Sequence, residues 1–179
     1  MTDINNQQTA DWPADIHRAL AGLDVRQIAY VPDAGHKRLL ELCAADPAMR
    51  MVKLTSEEEA MGLLAGAWLG GERGVLLMQS SGVGNCINAI ASITRTCRFP
   101  LLMLVTMRGE WGEGNPWQVP MGQAVPDVLK ALDVQMARCE QAAEVGETVD
   151  AMAGLAFKSS RAAAVLLGQR LIGVKSFQD

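Results

Sequence analysis

The run Thr55-Ser56-Glu57-Glu58-Glu59-Ala60-Met61-Gly62-Leu63-Leu64-Ala65-Gly66 places three carboxylates at the start of an apolar, small-residue stretch. A carboxyl group held in dry surroundings can share a proton with a bound nitrogen base and so act in general acid–base chemistry. Three glutamates here also simply favour the positive end of a helix dipole, and both readings stand on these residues alone. A second group, Gln79-Ser80-Ser81-Gly82-Val83-Gly84-Asn85, follows about twenty residues later. Its glycines let backbone approach a ligand closely, and they equally suit a tight strand-to-helix turn. It matches neither the phosphate loop of nucleotide hydrolases nor the full dinucleotide fingerprint.

Two further groups carry chemistry. The segment 108–123 combines Arg108, Glu110, Trp111, Trp117 and Gln118 with several glycines. It suits a lid over a small anion, or a surface loop whose tryptophans cover the edge of the core. Arg108 can meet a sulfonate or carboxylate, and packing against Glu110 is equally available to it. In Val31-Pro32-Asp33-Ala34-Gly35-His36, Asp33 reads as a helix cap or an acid near a substrate, and His36 as a helix-start residue close to the cleft.

The elements that must position these groups alternate regularly. Continuous apolar runs predict strands at 27–31, 51–54, 74–79, 100–107, 134–137 and 162–167. Helical patterns fall at 36–45, 57–69, 84–96, 125–132 and 145–158, and a first helix, capped by Asp11 with Pro13 in its first turn, runs to about Gly22. Continuous rather than alternating apolar strands imply a mostly parallel sheet covered by helices on both faces. The predicted fold is therefore a single doubly wound α/β domain with six strands. Residues 108–123 form the one long irregular piece, and a short tail follows the last strand.

Composition narrows the function classes. A chain of 179 residues with 49% hydrophobic residues can build one sizeable core. A net charge of −4, a pI near 5.2 and no basic run argue against a nucleic-acid surface. Cys43, Cys86, Cys97 and Cys139 form no Cys-x-x-Cys pair and read as reduced, mostly buried thiols. With two histidines in the chain, a histidine-rich zinc site is not expected. The ten methionines read as core filler, and the acidic group 140–147 as a solvated face and helix start. The polar segment 1–11 is no secretory signal, and no apolar run is long enough to span a bilayer, so the expectation is a soluble cytoplasmic protein.

Taken together, the strand, acidic helix start, second strand and Ser-Gly-x-Gly-Asn turn resemble the pyrimidine-binding domain of thiamine-diphosphate enzymes. In that family the activating glutamate stands three residues before an alanine and nine before a glycine. Glu57, Ala60 and Gly66 satisfy both spacings, whereas Glu58 and Glu59 do not. The resemblance therefore implies that Glu57 is catalytic, bonding the aminopyrimidine so that its exocyclic nitrogen can take a proton. It places Ser81, Gly82, Gly84 and Asn85 at the cofactor and the subunit interface.

The 108–122 pattern, Arg-Gly-Glu followed by Pro-x-Gln-x-x-x-Gly, is most similar to sulfopyruvate and phosphonopyruvate decarboxylases, sulfopyruvate the nearer. This implies substrate contacts from Arg108, Gln118 and His36, and a catalytic role in protonation or orientation for Asp33. Asp33 departs from the pyruvate-decarboxylase pattern in directly following the proline, and the paired histidines of that pattern are missing. The family's Mg²⁺ and diphosphate are held by a second domain marked by Gly-Asp-Gly. The chain has no such motif, and the resemblance covers 27–167. It thus implies an α subunit with no metal ligands of its own, in a hetero-oligomer with a separate diphosphate-binding β subunit, acting on a small 2-oxoacid. An α₂β₂ or larger assembly follows by analogy. A binding module that kept the fold without catalysis is the alternative from another class.

Overall fold

The continuous apolar runs form the strands of one six-stranded sheet in a computed structural model that describes residues 10–174. The strands are β1 (Val25–Tyr30), β2 (Arg50–Lys53), β3 (Arg73–Gln79), β4 (Leu101–Thr106), β5 (Gln135–Cys139) and β6 (Ala162–Leu167). They lie in the order β2-β1-β3-β4-β6-β5, and every neighbouring pair is parallel. The expected doubly wound α/β fold is what forms, with a sheet that is wholly rather than mostly parallel.

The helices are α1 (Trp12–Gly22), α2 (Lys37–Ala45), α3 (Glu59–Leu69), α4 (Gly82–Ala89), α5 (Val119–Ala131), α6 (Val145–Ser159) and the short α7 (Gln169–Ile172). Alternation within β3 shows why both faces are covered. Val75 and Leu77 join one core with Ile16, Leu20 and Ala153, from α1 and α6. Leu76 and Met78 join the other with Met61, Leu64, Val125 and Leu129, from α3 and α5. Each such fully buried Leu or Val side chain contributes roughly 1.5–3 kcal/mol. In β4 all six residues are buried, which is why it reads as an unbroken apolar run.

The first helix begins as its sequence requires, with the Asp11 side chain accepting from the Ala14 amide. Four elements differ from the sequence expectation. Helix α3 starts at Glu59, so Glu57 sits in the turn before it rather than in the helix. The 84–96 helix starts earlier, as α4, and continues as a π-helical segment, Ile90–Arg95. Helix α5 starts at Val119, because Pro120 occupies its first turn, where a missing N–H costs nothing. The irregular piece therefore ends near Gln118, and the tail after β6 opens with α7.

Of the cysteines, Cys43, Cys86 and Cys139 are buried, Cys97 is exposed, and all four are free. Among the described residues no helix is long and apolar enough to cross a membrane. The amino-terminal segment read as no secretory signal lies, up to residue 9, outside the described residues.

Candidate active site

In an open parallel sheet, ligands bind beyond the carboxyl ends of the strands, where the chain's winding reverses. Here the chain leaves β1 toward β2 on one side and leaves β3 toward β4 on the other. Asp33 follows β1, Glu57 follows β2, Ser80 follows β3, Arg108 follows β4 and Gln169 follows β6. All five therefore stand at one edge of the sheet.

Burial separates the three glutamates. Glu57 is buried at 8% exposure, whereas Glu58 and Glu59 are exposed. Glu59 caps its own turn by accepting from the Thr55 amide at 3.1 Å. Glu57 Oε2 accepts from Asn85 Nδ2 at 2.8 Å, tying the start of α3 to α4. No donor among the described residues reaches Oε1 of Glu57. Gly82 presses on the same carboxyl group: a Cβ there would stand 2.4 Å from Oε1. Cys86 lies below, its thiol pushed up to about 12 by burial and then by the charges of Glu57 and Glu58.

The structure thus joins Glu57, Gly82 and Asn85 and separates the rest of the turn from them. Gly84 faces Met121 of α5, with 3.5 Å from its Cβ position to the sulfur. That glycine serves helix packing rather than contact with the carboxylate. Ser81 stands exposed at the start of α4 and caps nothing with its side chain.

A second cluster lies between β1 and β4. Asp33 Oδ2 accepts from the Gly35 amide at 2.9 Å and from Thr106 Oγ1 at 2.7 Å. Asp33 thus caps the following turn, as one of its two readings has it, and also faces Arg108. Arg108 Nη2 lies 3.9 Å from Asp33 Oδ1, with each side chain only 6% exposed. Arg108 does not pack against Glu110, which instead meets Arg138. The Arg108 amide donates to Ser80 Oγ at 3.1 Å. Its carbonyl is touched by α5, since a Cβ at Gly122 would fall 1.7 Å from that oxygen. Gln118 accepts from Gln79 Nε2 at 3.2 Å and is half-buried at the cleft edge.

His36 stands at the start of α2, as one of its readings has it, but its ring turns into the core. It has no exposed surface, and its Nε2 lies 3.1 Å from the Leu104 carbonyl and 3.3 Å from that of Met78. Nε2–H donates to these strand-end carbonyls, so the ring wedges β3 against β4 and offers no atom to a substrate. Its Nδ1 is buried without a partner. Burial lowers the pKa of the ring, with the nearby Asp33 charge opposing.

The two tryptophans of the 108–123 segment do not cover the core either: Trp111 and Trp117 are 51% and 74% exposed. Trp111 packs under Arg170, whose guanidinium carbon is 3.7 Å from the ring centre. The acidic group 140–147 is more ordered than a solvated face. Glu144 closes a capping box with Gln141, and Glu140 meets Arg138 at 2.5 Å. Residues that the sequence did not single out are Ser80, Thr106, Glu113 and Gln169. Among the described residues no group of three metal-ligating side chains gathers.

A wholly parallel α/β sheet with a buried carboxylate and a glycine turn beyond the carboxyl ends of its strands is an architecture that binds ligands at that end. Residues 13–130 match the family model described as "Thiamine pyrophosphate enzyme, N-terminal TPP binding domain". The chain belongs to this family. It is 38% identical over 147 residues to the sulfopyruvate decarboxylase subunit alpha of Methanothermobacter thermautotrophicus, covering 82% of this chain and 88% of that one. The subunit of the same name from Methanocaldococcus jannaschii is 40% identical over 119 residues, 66% of this chain and 70% of its own. The phosphonopyruvate decarboxylase of Streptomyces viridochromogenes is 37% identical over 123 residues, 68% of this chain and 31% of that protein. A solved structure of the 2-oxoglutarate:ferredoxin oxidoreductase of Magnetococcus marinus superposes with a TM-score of 0.72. That match covers 90% of this chain and 29% of the other at 12% identity, a likeness of fold alone.

Proposed function

We propose that this chain is the α subunit of a thiamine-diphosphate-dependent 2-oxoacid decarboxylase, converting sulfopyruvate to sulfoacetaldehyde and carbon dioxide. The observation that carries this reading is the state of Glu57. It is the buried one of three adjacent glutamates, with one oxygen committed to Asn85 and the other met by no donor among the described residues. The relatives named sulfopyruvate decarboxylase subunit alpha, which match most of the chain, favour that substrate.

The residues present fit the aminopyrimidine end of the cofactor, because a carboxylate with one free oxygen can bond a ring nitrogen while Asn85 prevents its rotation. When bound, the cofactor supplies the electron sink that lets carbon dioxide leave a 2-oxoacid. Glu57 holds and returns the proton on Oε1, and the contact with Gly82 keeps that oxygen in place. Arg108 faces the acid group of the substrate, with Asp33 balancing its charge until substrate arrives. Gln118 lines the entrance beside Gln79. His36 contributes through the strand ends it joins. The diphosphate and Mg²⁺ are assigned to a β subunit carrying Gly-Asp-Gly; the words "subunit alpha" in the relatives' names support a partner subunit and no more than that.

Carbon dioxide release from sulfopyruvate by the two co-purified chains, with thiamine diphosphate and Mg²⁺, tests the reading. Glu57→Gln should lower turnover roughly a hundredfold or more with the fold intact. Near-normal turnover in that variant would remove Glu57 from the chemistry. Phosphonopyruvate is the second substrate to offer, given the Streptomyces relative. Failure to bind thiamine diphosphate in any mixture would instead favour a non-catalytic binding module.

A further inference from the structure

We propose that Gln169 is a positioning residue: with Glu113 it forms a latch that sets the 109–115 loop and, through it, Arg108. This inference rests on the assignment of Arg108 to the acid group of the substrate. Gln169 opens α7 directly after β6 and is 1% exposed. Its Oε1 accepts from the amides of Glu110 at 2.8 Å and Trp111 at 2.9 Å. Its Nε2 donates to Glu113 Oε2 at 2.9 Å. Glu113 in turn accepts from Gly109 N at 3.1 Å and Asn115 N at 2.9 Å.

Two side chains thus satisfy four main-chain amides of a loop that has no ladder of its own. The chemistry demands a primary amide at 169. Its oxygen must accept from two N–H groups while its nitrogen donates to a carboxylate, which neither glutamate nor methionine can do together. The loop also has little room to settle elsewhere. Gly109 has φ +75°, and its Cβ position lies 2.4 Å from the Gln118 carbonyl. Arg108 is therefore held from both sides, by Ser80 and Gly122 at its own peptide and by the latch from the next residue onward. The charged groups around the latch are Arg108 and Glu110 on the loop, Arg138 and Glu140 at the end of β5, and Arg170 on α7.

Hydrogen exchange and steady-state kinetics on the co-purified two-subunit complex test this, comparing wild type with Gln169→Glu and Gln169→Met. In both variants, protection of the amides of 109, 110, 111 and 115 should fall about tenfold, with β4 and β6 unchanged. KM for sulfopyruvate should rise about fivefold, with kcat within about twofold, because binding rather than the chemical step loses its partner. In Gln169→Glu alone, lowering the pH from 7.5 to about 5.5 should restore protection, since one shared proton rebuilds a donor between the two carboxylates. Exchange that does not respond to Gln169→Glu overturns the latch. Faster exchange with an unchanged KM overturns its action on Arg108, and loss of protection throughout the sheet reduces Gln169 to a structural residue. A wild-type complex inactive on every 2-oxoacid refutes the functional reading separately, and the exchange data then still decide the latch.

Discussion

Gly82 is packed so closely on Glu57 that a methyl group in place of its α-hydrogen would approach Oε1 to 2.4 Å. A methyl group on Gly84, two residues on, would meet only the flexible end of Met121, at 3.5 Å. The two glycines should therefore behave differently. Gly82→Ala should displace Glu57 and reduce decarboxylation by about a hundredfold, the scale of losing a positioned acid–base group. Gly84→Ala should stay within about threefold of wild type, an ordinary contact being easily absorbed. Equal losses in both variants would mean that the turn needs backbone freedom, not space beside Glu57.

The pair Asp33 and Arg108 is nearly buried yet separated by 3.9 Å. At that distance in a buried setting, without a hydrogen bond, a coupling of roughly 1–4 kcal/mol is expected. A double-mutant cycle with Asp33→Asn and Arg108→Gln, read by denaturant unfolding, should return a value in that range. Each single change should cost more than the coupling, because it leaves the other charge buried alone. A cycle that closes at zero would show that Arg108 is compensated elsewhere.

His36 gives the fold a pH dependence of predictable sign. Burial lowers its pKa in the folded chain below the ordinary 6.5. The unfolded state therefore binds a proton first as the pH falls, and folding stability is full above pH 6.5 and declines below it. Asp33 is the charged group opposing this shift. Replacing the ring by glutamine, which can still donate to a strand carbonyl, should flatten the decline between about pH 6.5 and 5. An unaltered slope in that window would assign the acid sensitivity to the carboxylates.

The sheet was legible because its strands are buried on both faces, so β4 and β6 stand out as unbroken apolar runs. Helix α5 was half legible: Pro120, Gly122 and Pro126 each look like breakers, and only the packed structure shows that Pro120 starts the helix while Gly122 touches Arg108. Glu57 could be chosen from its neighbours by its spacing to Ala60 and Gly66, and its burial favours the same choice. His36 stands at a helix start, as its position suggests, but that place says nothing about which way the ring turns, and it turns inward. The partners Gln169 and Glu113 lie 56 positions apart, and no local pattern links a residue in a loop to one following the last strand.

The contact between Gly122 and the Arg108 carbonyl has a further consequence for anyone wishing to change what the cleft accepts. A loop transplanted from a relative would arrive on a helix whose backbone was shaped for a different loop. If Arg108 meets the substrate as proposed, the unit to exchange is the block from Arg108 to Ala131, together with the residue at 169. Substrate preference in such chains should consequently travel by recombination of that block more readily than by single substitutions within it.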